Sequence, residues 1–376
     1  MDELRWAQDV SEKITHKMRI VAERNRHKIP YTTENGVFDD WTEKNICFWT
    51  NGFWGGMMWQ MYHATSDELY REIALEVEKK LDANLMDARR LDHDNGFKWL
   101  PTAVANYKLT GDDAALNRGL LAACNLAGRF NPAGNFIRAW NGDKAQGTAI
   151  IDCMMNLPLL YWAYEVNGDP KFLQMATAHA NTAMKYFVRE DGSVNHIVRF
   201  DPVTGEYIGT NGGQGYKEGS SWTRGQGWAL YGFVMSYNHT GDMSYLNTAK
   251  KVANYFIANI PENNLIPIDF RQPEDCTWED STATVIAACG MLELAKQLNS
   301  LGELEQNESK VYKRAAMRLL KTLEKERCNW DENVDNIVEK CSVEYDNEAH
   351  EFTIIYGDYY FIEAIWKLTG KELYLW

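Results

Sequence analysis

Residues 106–119, NYKLTGDDAALNRG, read as the end of one helix, a tight turn and the start of a second helix. Gly111 is placed for a left-handed C-cap and Asp112 for a fresh N-cap, so the stretch is a helical hairpin. The same phrase recurs as MYHATSDELYREIA (61–74), AYEVNGDPKFLQMA (163–176) and SYNHTGDMSYLNTA (236–249), and KLTGKELY (367–374) repeats its first half. Recurrence at intervals of about 45–75 residues marks a repeat architecture with long insertions.

Between the phrases, two kinds of helix alternate. Charged, one-sided helices are predicted near 2–24, 67–85, 112–129, 169–188, 243–259 and 308–327. Helices apolar nearly all round are predicted near 52–65, 97–110, 148–167, 222–240, 281–299 and 357–369. A helix apolar on every side is buried, and a one-sided helix covers it. Six outer helices alternating with six inner ones make an all-α (α/α)6 barrel. A short hairpin is expected within 195–210, and no linker composition divides the chain, so 1–376 is read as one domain. Antiparallel hairpins would bring all inner-helix N-termini to one end, where free N–H groups favour an anionic ligand.

Composition narrows the function. The charge sum over 376 residues is −14 with no Lys/Arg-rich run, which disfavours nucleic acid or an anionic membrane as a partner. Fourteen Trp and 19 Tyr supply flat faces suited to sugars, although large cores use them too. The first residues lack an apolar signal segment, and the seven cysteines are scattered without a CxxC. Free thiols in a reducing cytoplasm are expected. No metal or cofactor motif is present: HExxH, a Walker loop and a complete GxGxxG are all missing.

The segments leading into the inner helices carry the chemistry. They include Trp49, His93-Asp94-Asn95-Gly96, Ile151-Asp152, Gln214 and Arg224-Gly-Gln-Gly-Trp228. Carboxylates, aromatics and an arginine at one mouth suit a sugar-processing pocket, with aromatics for the ring faces and carboxylates for proton work. Asp152 stands among Ile150, Ile151, Met154 and Met155, where low dielectric is expected to raise its pKa toward that of a general acid. An N-cap role would explain the same position. Asp94 fits an ordinary Asp-Asn-Gly turn equally well, and Asp280 and Asp358 read as helix caps. Arg224 and Trp228 share a helical face and suit a carboxylate-bearing ring; a salt-bridged Arg and a core Trp fit as well.

HDNGF (93–97), IIDCMMNLPLLYWA (150–163), QGY (214–216), SSWTRGQGWALYGF (220–233), AACG (287–290) and GDYYFIEA (357–364) together resemble the unsaturated glucuronyl hydrolases of glycoside hydrolase family 88. The resemblance implies an (α/α)6 barrel and an exo-acting enzyme. Such an enzyme removes the 4,5-unsaturated uronic acid that polysaccharide lyases leave on oligosaccharides. It also implies hydration of the C4=C5 enol ether, with Asp152 as general acid/base and Asp94 holding sugar hydroxyls and tuning Asp152. His93, His196, Gln214, Arg224 and Trp228 match substrate-binding positions, with Trp49 and Trp140 as stacking partners. Asn95 departs from the apolar residue expected there. Residues 344–351 are acidic where some members carry a sulfate-reading Ser/Lys cluster, which argues against a strong preference for sulfated substrates. An unsaturated rhamnogalacturonyl hydrolase acting on pectin fragments, a lyase on a similar toroid and a non-catalytic sugar-binding barrel remain open alternatives. Aglycone, linkage and oligomeric state are left open.

Overall fold

The computed structural model describes residues 3–346 and 348–376. Its outer helices are α1 (Glu3–Arg24), α3 (Glu68–Leu85), α6 (Asp113–Ala127), α8 (Pro170–Tyr186), α10 (Met243–Ala258) and α12 (Glu303–Arg327). Between them run α2 (Phe53–Thr65), α4 (Asn95–Trp99) continuing through Leu100–Val104 into α5 (Ala105–Thr110), α7 (Pro158–Asn167), α9 (Thr223–Thr240), α11 (Ser281–Asn299) and α13 (Ile355–Thr369). This inner ring closes on itself: α2 packs on Leu100–Val104, α4 on α7, α9 on Ile151–Met155, α11 on α9 and α13, and α13 on α2. The fold is the all-α (α/α)6 barrel.

The repeated phrase works as its residues demand. Gly111, Gly168, Gly241 and Gly370 end their helices at φ between 70° and 73°, and Ser66 takes the same left-handed role at φ 58°. Asp67, Asp112, Asp169 and Asp242 then each accept a backbone N–H two residues on, opening the next helix. One extended core of buried residues runs from Trp6 to Trp376.

Two inner helices depart from the regular reading. Leu100–Val104 widens into a π turn around Pro101, which has no N–H to give to the preceding turn. The helix predicted from 148 does not start there. Thr148–Ile150 is a strand, Ile151–Met155 a 3-10 turn, and Pro158 opens α7. The strand pairs antiparallel with Ile197–Phe200, which pairs with Tyr207–Asn211, so the expected hairpin gains a third strand. A short β-branched run suits a buried strand as well as a buried helix, and periodicity alone does not separate them. All seven cysteines are free, although Cys124 is exposed rather than buried. No helix among the described residues is long and apolar enough to cross a membrane.

Candidate active site

Segments entering the inner helices meet around a cavity of ≈ 400 Å³. Of the sequence-predicted residues, Trp49, Asp94, Trp140, Asp152, His196, Gln214 and Arg224 line it, joined by Ile150, Ile197, Gly213 and Glu344. The small sheet supplies one wall and the inner-helix ends the floor. A second cavity of ≈ 470 Å³ lies at the opposite end, by Glu293, Lys296, Lys367 and Glu372. Its Lys367 and Lys296 are already paired, with Glu293 at 3.0 Å and Glu372 at 2.5 Å.

Asp152 is not a cap. Ile150 holds the N-cap position of the 3-10 turn, and the Asp152 carboxylate faces His196, whose Nε2 lies 3.5 Å from Oδ2. The Gln214 backbone N–H donates to His196 Nδ1 at 2.9 Å, so the ring hydrogen belongs on Nε2, directed at Asp152. Trp222 lies against the same ring at 4.3 Å between centroids.

Asp94 heads α4 without capping it. Its Oδ1 lies 3.4 Å from His93 Nε2, and Asn156 Nδ2 donates to it at 3.5 Å and to the Asp152 carbonyl at 3.3 Å. Asn156 Oδ1 also accepts the Phe97 N–H at 2.9 Å. A Cβ at residue 96 would come within 2.5 Å of the Asn156 backbone, so only glycine lets this turn approach so closely. One asparagine thus ties the two aspartate-bearing segments together.

The carboxyl groups are driven apart electrostatically. Burial, with Asp92 and Asp152 as negative neighbours, pushes Asp94 well above the carboxylate range. Burial pushes Asp152 the same way, yet the His196 N–H directed at it, aided by His93 and Arg224, holds it below its ordinary value. The upward shift predicted for Asp152 therefore belongs to Asp94. The cavity thus holds two carboxyl groups whose hold on a proton is pushed in opposite directions, a division typical of acid/base sites. Burial lowers His93 to about 4, leaving it neutral.

Three predicted binding residues take different places. Trp228 does not reach the cavity; it is a core residue between Phe97 at 5.0 Å and Tyr360 at 5.6 Å. His93 is wholly buried behind Asp94 instead of lining the cavity. Arg224 lines the cavity but does not share a ring with Trp228. Its guanidinium lies 4.6 Å from the Trp222 ring, pairs with Asp280 at 3.0 Å and donates to the carbonyls of Ser342 and Val343. Gln214 Nε2 donates to the Val343 carbonyl too, at 3.0 Å. These bonds pin the 342–345 strap and bring Glu344 to the cavity. Asp280 is the α11 cap as read, whereas Asp358 lies inside α13 and accepts the Ile337 and Val338 N–H groups.

Trp49 is half-buried against Tyr356 at 5.0 Å and Phe97 at 5.4 Å, and Trp140 stands 40% exposed at the rim. Both offer faces to a ring. Sequence reasoning passed over Asn156 and Glu344 as site residues. The position of Asn156, four after Asp152 in IIDCMMN, was the available signal.

Residues 13–360 match Glycosyl Hydrolase Family 88. The chain belongs to that family. An unsaturated glucuronyl hydrolase of Bacillus sp. (strain GL1) is 37% identical over 336 residues, covering 87% of this chain and 88% of the relative. An unsaturated chondroitin disaccharide hydrolase of Streptococcus pneumoniae is 33% identical over 84% of this chain and 81% of its own length. The crystal structure of an unsaturated glucuronyl hydrolase from Streptococcus agalactiae superposes with a TM-score of 0.91 at 30% identity, covering all of this chain and 94% of that one. This family 88 chain is a glycoside hydrolase on the same barrel.

Proposed function

We propose that this chain removes the 4,5-unsaturated uronic acid from the non-reducing end of lyase-generated glycosaminoglycan oligosaccharides, with 1–376 acting as one cytoplasmic catalytic domain. The observation that carries the reading is the Asp152 carboxylate. Its Oδ2 is buried at the cavity wall 3.5 Å from His196 Nε2, beside an Asp94 whose pKa burial pushes well above the carboxylate range. The names of the family 88 relatives support the substrate class, and seven free cysteines support a reducing compartment.

The uronate ring lies between Trp49 and Trp140, its carboxylate on the side of Arg224 and the inner-helix N-termini. Because Arg224 spends its fork on Asp280 and two carbonyls, it supplies charge and shape more than a free bidentate clamp. A uronate entering beside Asp152 brings a like charge and excludes water, and both raise the Asp152 pKa. Asp152 then takes up a proton with the substrate, transfers it to C4, and accepts one from the water that adds to C5. The hemiketal so formed opens and releases the leaving saccharide, with net addition of one water. Asp94, holding its proton, donates to a ring hydroxyl. Gln214 and His196 complete the binding wall, and His93 supports Asp94 from behind.

The test is the ultraviolet absorbance of the C4=C5 bond in an unsaturated chondroitin or hyaluronan disaccharide. Absorbance should decay with the native enzyme and persist with Asp152→Asn. Decay only on pectin-derived unsaturated sugars would move the substrate to the rhamnogalacturonyl class. An active Asp152→Asn protein would remove the mechanism.

A further inference from the structure

Beyond Trp140 the catalytic cavity opens into another of ≈ 750 Å³, and the two share Trp140 and Ile197 as walls. The strand Ile197–Phe200 runs directly from one to the other. His196 at its start faces Asp152, and Ile197 and Arg199 project from the same face of the strand. At roughly 3.3 Å per residue, Arg199 stands about 7 Å farther from the acid/base than Ile197. Lys144, on the short turn Asp143–Ala145, contributes a second cation to the same cavity.

Both cations are exposed, and neither side chain makes an ion pair or hydrogen bond among the described residues. Arg129 and Arg224, close by, have theirs fully engaged with carbonyls and carboxylates. Asp143 is the one carboxylate lining this cavity and does not pair with Lys144. The catalytic cavity has the opposite polarity on its outer strap, where Glu344 stands. In a chain of net charge −14, two unpaired cations on the path out of the active site form a local positive field.

Resting on the proposed function, we infer that this second cavity receives the leaving saccharide. Lys144 and Arg199 make it selective for one carrying an anionic substituent, either a sulfate ester or the carboxylate of a further uronate.

The experiment compares the native enzyme with Lys144→Ala/Arg199→Ala on three unsaturated substrates. These are a disaccharide with a neutral N-acetylhexosamine, its sulfated counterpart, and an unsulfated hyaluronan tetrasaccharide whose leaving part carries a uronate. The double variant should lose about fivefold to tenfold in kcat/KM on an anionic leaving group, the scale of two exposed charge contacts, and change less than about twofold on the neutral one. Loss on the sulfated disaccharide alone assigns the pair to a sulfate, and loss on the tetrasaccharide alone assigns it to a carboxylate. Equal effects on all three, or none, overturn the inference. Calorimetric binding of the same saccharides to Asp152→Asn, with and without the double substitution, reads the pair independently of turnover. If the native enzyme leaves every absorbance unchanged, the hydrolase reading fails. A charge-dependent difference in binding would still uphold the cation pair, and its absence would overturn it.

Discussion

His196 Nε2 stands 3.5 Å from Asp152 Oδ2, and the ring is turned that way by the Gln214 amide, which donates to Nδ1 at 2.9 Å. That relationship holds a buried carboxyl ionised where burial alone would protonate it. His196→Gln weakens the restraint, so the Asp152 pKa rises. Because Asp152 must hold a proton to give to C4, activity falls as it ionises; that limb of kcat/KM, which reports the free enzyme, should move to higher pH, with kcat down by about 10²-fold. A pH–rate profile measured by absorbance decay checks this; a limb that stays in place would separate His196 from the Asp152 proton.

Asp94 carries the complementary prediction. Burial and the charges of Asp92 and Asp152 push its pKa well above the ordinary range, so its ionisation is expected on the basic limb of the profile. Asp94→Asn imitates the protonated group in shape but does not ionise. Activity should fall by about 10²-fold because a neutral amide replaces a carboxyl donor, and the basic limb should flatten. Retention of that limb in the variant would assign it to another group.

Arg224 is a structural clamp as much as a binding residue. Removing it leaves Asp280 buried and unpaired and frees the carbonyls of Ser342 and Val343. Arg224→Ala should therefore cost about 3–5 kcal/mol of stability, as other broken buried pairs do, together with a raised KM from the loosened strap. Denaturant unfolding and steady-state kinetics on the same protein test both halves. A raised KM at native stability would return Arg224 to pure substrate binding.

Asp358 predicts a pH-dependent stability away from the chemistry. Burial raises its pKa to about 7, against the opposing N–H groups of Val338 and Ile337 and the charge of Lys17. The folded carboxyl keeps its proton up to about pH 7, whereas the unfolded one releases it near 3.9. Its contribution is thus complete below about 3.9 and is lost as pH rises through 7, with a slope approaching about 1.4 kcal/mol per unit. Asp358→Asn should lose that slope. Urea midpoints at pH 5 and pH 7 for both proteins decide it, and parallel changes in the two would refute the assignment.

What the sequence made legible was local and repetitive. Each Thr-Gly-Asp-like phrase encodes its own cap and turn within a few residues, and four such hairpins with alternating burial imply the barrel without long-range information. The site residues were legible by position, because segments entering inner helices must converge. Their electrostatics were not. The direction of the Asp152 shift depends on His196, 44 residues away and turned by a loop amide that no local pattern reveals. Trp228 misled for a related reason: helical spacing put it on the face of Arg224, but the guanidinium turned back onto Trp222, leaving the indole to the core. The strand at 148–150 was hidden because its partner, Ile197–Phe200, lies far along the chain.

Gly213 offers the most direct test of the amide behind His196. Its φ is +59°, and a Cβ there would come within 2.0 Å of His196 Nδ1. Alanine at this position strains the backbone and displaces either the loop or the imidazole ring, lengthening the 2.9 Å bond from the Gln214 N–H. The loop itself stays anchored elsewhere, through Asp269, which accepts from Ser220 Oγ at 2.6 Å and from the Tyr216 and Ser221 N–H groups. Gly213→Ala should therefore keep its melting temperature within a few degrees while kcat falls by about 10²-fold, as when a positioned catalytic group is misplaced by about 1 Å. The limb set by Asp152 should shift to higher pH as in His196→Gln, and combining the two substitutions should add little further. Additive losses would mean that the glycine acts on the saccharide and not through the imidazole.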